Sequence, residues 1–269
     1  MILWVDDGLD VTTQMARDVA LLAAAEDGHE PVLRLFRFDP PGITLGASQE
    51  PGRELDLDAC ARDGVGWAVR PTGGRAIFHA DEWTYALAAP IDDPDWGGTR
   101  DVAYDRVSRL LVASLERLGV PAILAAGSHR ERTESGAAHT AGPAAPCFAS
   151  TARHEVVLEG GKLVGSAQRR TARALLQQGS LLLGDGHLRL ADYLRIPASA
   201  RERVRDGLRA AATHAGPWLG SDAPLERWAD ALWSVLGPGV RLTRDAPIQF
   251  PLTPGAGRPY TRPSSQVQA

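Results

Sequence analysis

Strand-like runs in this 269-residue chain come in clusters, joined by glycine and proline turns too short to hold a helix. "PVLRLFRF" passes through "DPPG" into "ITLGA", and "GWAVRPTGGRAIFHADEWTYALAAP" reads as strand, glycine turn, strand, strand. "HEVVLE" and "KLVGSA" flank Gly160 and Gly161 as a hairpin, and "ALLQQGSLLLG" adds one more strand. A regular βαβ repeat would need a helix inside each of these pairs. Helical periodicity falls between the clusters instead. Val11 to Glu26 puts Met15, Val19 and Leu22 on one face, with Thr12 or Thr13 as the expected cap. Asp101 to Leu118 does the same with Val107, Leu110, Leu111, Leu115 and Leu118. Shorter helices are expected at 57–63, 191–194, 200–212 and 225–236. The pattern predicts an α+β fold, a mixed or antiparallel sheet flanked by helices. It predicts one domain over residues 1–250 and a Pro-, Gly- and Ser-rich disordered tail over 251–269.

Several function classes are excluded at once. The formal charge is −4 with no basic block, so nucleic acid is not an expected partner. No apolar run reaches the roughly 18 residues of a membrane span. The start, "MILWVDDGLD", has no basic region and no long apolar run, so no signal peptide is expected. Two cysteines make no disulfide framework, and the expected compartment is the cytoplasm. The first Gly of a phosphate-binding loop ahead of Lys162 would fall at Val156, and "GVG" at Gly64 lacks a third glycine. There is no C-x-x-C, H-E-x-x-H or G-x-S-x-G, so no structural metal and no serine elbow are expected.

What remains is a small set of chemically unusual residues. Lys162 is the one lysine among 29 basic residues, so the other 28 are arginine. Arg is a wide planar fork and Lys a narrow point charge on a flexible stem. A chain that decorates its surface with Arg keeps a lone Lys where a guanidinium does not fit. Lys162 is expected to start a strand at the hairpin turn, with Gly165 allowing close approach and Ser166 adding a donor. Ala125 to Pro146 is aperiodic and rich in Gly, Ala and Ser, the pattern of a long functional loop, and Cys147 follows it directly. Cys147 reads either as a small buried hydrophobe or as a reactive thiolate needing nearby positive charge. Cys60, with Leu57 and Ala61 on the inner face of a helix, reads as packing. In "RPTGGRAIFH", Gly73 and Gly74 let backbone N–H groups converge on an anion or a carbonyl, flanked by Arg70 and Arg75. The plainer reading is a tight hairpin turn with exposed arginines. His79 taken alone reads as a satisfied strand histidine.

Together these residues resemble the lipoate/biotin protein ligase superfamily. Arg70, Gly73, Gly74, Arg75, Ile77 and His79 match its R-x-x-G-G-[GR]-x-[VI]-x-H segment. Lys162, Leu163, Gly165, Ser166 and Ala167 match K-[ILV]-x-G-[ST]-[AS]. The nearest branch is the cysteine-dependent octanoyltransferases, which share Glu82, Thr84 and Tyr85 downstream and a Cys-Phe pair at Cys147 and Phe148. Two positions depart from that pattern: "QQGS" carries Gln178 where a His is usual, and His154 stands where an aromatic precedes the hairpin Glu.

The resemblance implies a lipoate/biotin ligase-like catalytic domain and a reaction. Octanoyl would pass from acyl carrier protein through an acyl-cysteine on Cys147 to a lysine of a lipoyl domain. That acceptor is the glycine-cleavage H protein or a dehydrogenase E2. Lys162 would hold the acyl carbonyl, with Arg70, Gly73, Gly74, Arg75, His79, Gly165, Ser166 and Ala167 lining the substrate site. No cofactor or metal would be needed. Two alternatives stay open: an ATP- and Mg-dependent lipoate-protein ligase, and a non-catalytic lipoate-binding module.

Overall fold

The structure, a computed structural model, describes residues 1–6, 8–125 and 155–250. The expected long loop, Cys147, Phe148, His154 and the expected tail lie outside the described residues.

Strand β1 (Ile2–Val5) leads into helix α1 (Val11–Glu26). The cap of α1 is Asp10, not Thr12 or Thr13; its Oδ1 accepts from the Thr12 and Thr13 N–H groups at 2.9 and 3.1 Å. Then come β2 (Val32–Phe36), β3 (Gly42–Leu45), α2 (Pro51–Glu54), α3 (Leu57–Arg62), β4 (Gly66–Val69), β5 (Ile77–His79) and β6 (Glu82–Pro90). Helix α4 (Arg100–Arg117) and β7 (Ile123–Leu124) follow. Past the undescribed segment are β8 (Val156–Leu158), β9 (Gly161–Arg170) and β10 (Ala174–Leu182). A 3-10 turn at Asp185–Arg189 runs into α5 (Leu190–Tyr193), then α6 (Ala198–Ala211), α7 (Gly216–Leu219), α8 (Leu225–Leu236) and β11 (Arg241–Thr243).

The strands form two sheets, and the fold is α+β as the clustering predicts. The large sheet runs β11-β1-β2-β6-β10-β9-β8-β7, and the small one β4-β3-β5. Among the described strands, only β11-β1-β2 and β3-β4 pair in parallel. Alternation along β2 sends Leu33 and Leu35 to one face and Val32, Arg34 and Phe36 to the other. Leu33 and Leu35 pack with Leu87, Leu111, Leu115, Trp83 and Trp228 beneath α4 and α8. Val32 and Phe36 pack with Trp4, Met15, Leu22, Ala86 and Leu176 beneath α1. Each such side chain removed from water contributes about 1.5–3 kcal/mol. The small sheet builds a third cluster with α3, α5 and α6, and Cys60 sits in it as a packing residue.

Three further features differ from the sequence expectation. Ile2–Val5 is a strand inside the large sheet, although four buried apolar residues in a row carry no strand period. Residues 70–76 do not close a hairpin: β3 lies between β4 and β5, so the glycine segment crosses the end of β3. The β8–β9 turn is centred on Glu159 and Gly160, with φ of 51° and 83°, and Gly161 already belongs to β9. Two left-handed residues in succession match the twist of a two-residue hairpin.

Candidate active site

The glycine segment closes against β3 through backbone contact. A Cβ on Gly46 would lie 2.0 Å from the Gly74 carbonyl oxygen, so only glycine permits this approach. Ala47 N–H donates to the Thr72 carbonyl at 2.9 Å. Arg70 is buried under the loop and braces it. Its guanidinium donates to the Gly73 and Arg75 carbonyls at 2.8 Å each, and to the Thr44 carbonyl at 3.3 Å. The arginine expected at an exposed turn is thus an internal strut.

Between this loop and the large sheet lies a cleft whose empty space, including the part open to solvent, is about 570 Å³. Met15 of α1 and Phe38 supply apolar wall, and β3 and β5 supply Thr44, Ile77 and His79. Arg70, Thr72 and Gly74 come from the crossing loop. β9 contributes Lys162, Gly165, Ser166 and Ala167, and β10 contributes Gln178, Gly179 and Ser180. Seven residues predicted for the site therefore meet here, from the crossing loop, β5 and β9. Gly73 and Arg75 sit on the loop beside the cleft, and Cys147 is outside the described residues.

Lys162 is only 8% exposed and is not a surface charge at a turn. Its Nζ donates to Glu155 Oε1 at 2.6 Å. Its carbonyl accepts from Thr213 N–H at 3.0 Å, which ties β9 to the segment after α6. Farther along β9, Ser166 Oγ lies 2.8 Å from the Tyr85 hydroxyl, which also accepts from Gln177 Nε2 at 3.1 Å. Burial pushes the Tyr85 phenol up to about 12, so this hydroxyl keeps its proton. Gly179 makes the contact possible, since a Cβ there would lie 2.5 Å from Tyr85 Cε1.

His79 spends both ring nitrogens inside the protein. Arg70 Nη1, which can only donate, reaches Thr44 Oγ1 at 3.2 Å. His79 Nε2 lies 2.7 Å from the same Thr44 hydroxyl. Glu82 Oε1 lies 2.7 Å from His79 Nδ1, and since a carboxylate oxygen only accepts, Nδ1 carries a proton there. Glu82 also accepts from Thr84 and Ser180, at 2.7 and 2.9 Å. His79 stacks on Phe38 at 4.0 Å between ring centroids and presents its ring to the cleft. Neither nitrogen is placed to take a proton from substrate, as the strand-histidine reading anticipates.

Gln178, on the cleft wall, has both ends of its amide engaged. Thr72 Oγ1 donates to its Oε1 at 2.7 Å, and its Nε2 donates to Asp18. Asp18 is completely buried; that burial raises its pKa, against the lowering pull of Arg34 and Gln178. Arg34 Nη1 pairs with Asp18 at 2.6 Å and Nη2 with Asp6 at 2.7 Å. A chain of hydrogen bonds thus runs from the cleft wall to the middle of the large sheet. Sequence reasoning missed Glu155, Asp18 and Arg34, because nothing in their spacing tells a buried charge from a solvated one.

The sequence that carries this loop, hairpin and cleft lies within a stretch matched in known proteins. Residues 10–236 match the lipoyl protein ligase A/B catalytic domain. The chain belongs to that family. Relatives include "Octanoyltransferase LipM" of Kyrpidia tusciae, 41% identical over 197 residues, 72% of this chain and 69% of the relative. The protein of the same name from Symbiobacterium thermophilum is 35% identical over 242 residues, 86% of each chain. Among solved structures, a bipartite lipoate protein ligase from Thermoplasma acidophilum superposes with a TM-score of 0.67 at 20% identity, covering 91% of this chain and 87% of its own. That likeness carries the fold: the lipoate/biotin ligase-like architecture expected from the sequence is present. Among the described residues, no helix is long and apolar enough to cross a membrane.

Proposed function

We infer that this family member is an octanoyltransferase of lipoate assembly, an acyltransferase working through Cys147. The observation that carries the reading is the lone lysine. Lys162 is buried on the wall of the cleft formed by the glycine loop and Gly165–Ala167, in a chain whose relatives are octanoyltransferases. The donor is an octanoyl thioester on acyl carrier protein. The Cys147 thiolate attacks its carbonyl carbon, an oxyanion forms, and the carrier thiolate leaves. Lys162 and N–H groups of the Gly73–Gly74 loop and Ser166 are suited to meet that oxyanion. The deprotonated amine of a lipoyl-domain lysine, on H protein or a dehydrogenase E2, then attacks the acyl-cysteine. An amide forms, the amine proton leaves, and the Cys147 thiolate is released. Exchange of one thioester for another is nearly balanced, and a thioester is already activated toward an amide. Neither step therefore calls for a nucleotide or a metal.

Intact-mass analysis of the full chain mixed with octanoyl carrier protein tests this. One octanoyl mass should appear without ATP, map to Cys147, vanish in Cys147→Ala and persist in Cys60→Ala. An adduct that requires ATP, or one that survives Cys147→Ala, would overturn the reading.

A further inference from the structure

We propose that Glu155 makes the cleft select a neutral acyl carbonyl over a free fatty carboxylate, by neutralising the Lys162 ammonium from behind. The proposal rests on the acyl-cleft reading above and adds what that cleft excludes. Glu155 is 4% exposed. One carboxylate oxygen accepts from Lys162 at 2.6 Å, and the other is buried with no hydrogen-bond partner among the described residues. A carboxylate with an unsatisfied buried oxygen is a poor packing residue, because it forgoes hydration for a single bond. Its position makes sense through its partner. Glu155 does not line the cleft; it stands behind the lysine that does.

The rest of the lining fits the same charge pattern. Arg70 and Lys162 are the cations on the described wall. The Arg70 guanidinium is aimed at the carbonyls of Thr44, Gly73 and Arg75. Glu82 stands behind His79 as Glu155 stands behind Lys162. An incoming carboxylate would lose its hydration and meet an ammonium already compensated by a carboxylate at hydrogen-bond distance. A thioester carbonyl brings no net charge to desolvate and asks only for an N–H directed at its oxygen. The buried pair thus favours the activated acyl donor and discriminates against the free acid of the same chain length.

Calorimetric titration of the full chain with octanamide, an unreactive neutral isostere, and with octanoate at neutral pH tests this. The wild type should bind octanamide more tightly than octanoate. Glu155→Gln keeps the shape and a hydrogen-bond acceptor but leaves the ammonium uncompensated, so octanoate should tighten by about tenfold or more while octanamide is unchanged. Adding Lys162→Met to Glu155→Gln should abolish that gain. A wild type that prefers octanoate overturns the proposal without any variant. If octanamide binds but Glu155→Gln leaves octanoate unchanged, the selectivity proposal alone falls. If neither ligand binds the wild type, the acyl-cleft reading falls and takes this proposal with it.

Discussion

The Glu155 carboxylate and the Thr213 N–H are among the groups that hold Lys162, and both bear on what a substitution would do. A guanidinium is wider than the ammonium and would have to fit between Glu155 and the cleft at 8% exposure. Lys162→Arg should therefore lose acyl transfer nearly as fully as Lys162→Ala, each by on the order of 10²–10³ in single-turnover rate. Near wild-type transfer by Lys162→Arg would show that only the charge matters. Stability should separate from activity. Lys162→Ala leaves Glu155 buried without a counter-charge, a loss of about 3–5 kcal/mol for such pairs. The double change Lys162→Ala/Glu155→Gln should melt higher than Lys162→Ala alone while remaining inactive. The lone lysine was legible in the sequence as an exception to an arginine habit. Its burial was not, because a hairpin position says nothing about what covers it.

At the scale of elements, the site depends on two close backbone approaches. Gly46 at the end of β3 admits the Gly74 carbonyl, and Gly179 in β10 admits Tyr85 and Ser166. Gly46→Ala should displace the crossing loop, costing about 1–3 kcal/mol by overpacking and on the order of 10² in transfer through misplacement by about an ångström. Gly73 has nothing within 4 Å of its notional Cβ, so Gly73→Ala should melt like the wild type. Equal melting temperatures for the two alanine variants would sink this account of the loop. The glycines stood out in the sequence, but as a hairpin turn. Their actual role follows from β3 inserting between β4 and β5, a long-range pairing that no local pattern encodes.

Across the whole molecule, one buried network links the cleft to the sheet centre. Arg34 is fully buried on the α1 face of β2, between Asp6 and Asp18, and Asp18 holds Gln178 on the cleft wall. Arg34→Ala would leave two buried carboxylates without their shared cation. The expected loss is about 3–5 kcal/mol, seen as a lower midpoint in denaturant, with transfer also reduced because Gln178 is no longer fixed. A midpoint within error of wild type would mean water replaces the guanidinium. In the sequence Arg34 is one polar position in the strand "VLRLF", with nothing to say that it is buried. It is buried because α1 lies across that face, where Asp18 of α1 and Asp6 beyond the end of β1 supply the matching carboxylates.

The sequence by itself determined the α+β class, the principal helices and the strands of the hairpins. It also singled out the residues now found around the cleft, because period, turn chemistry and rare residue types are local properties. Strand order, the parallel placement of β1, the crossing loop, and the Lys162–Glu155 and Arg34–Asp18 pairs were decided by the tertiary structure alone. Each joins groups on different elements, and whether a charge is buried or solvated depends on which surface closes over it. That closure is settled by how α1 and the two sheets share their apolar faces, an outcome of packing the whole chain at once.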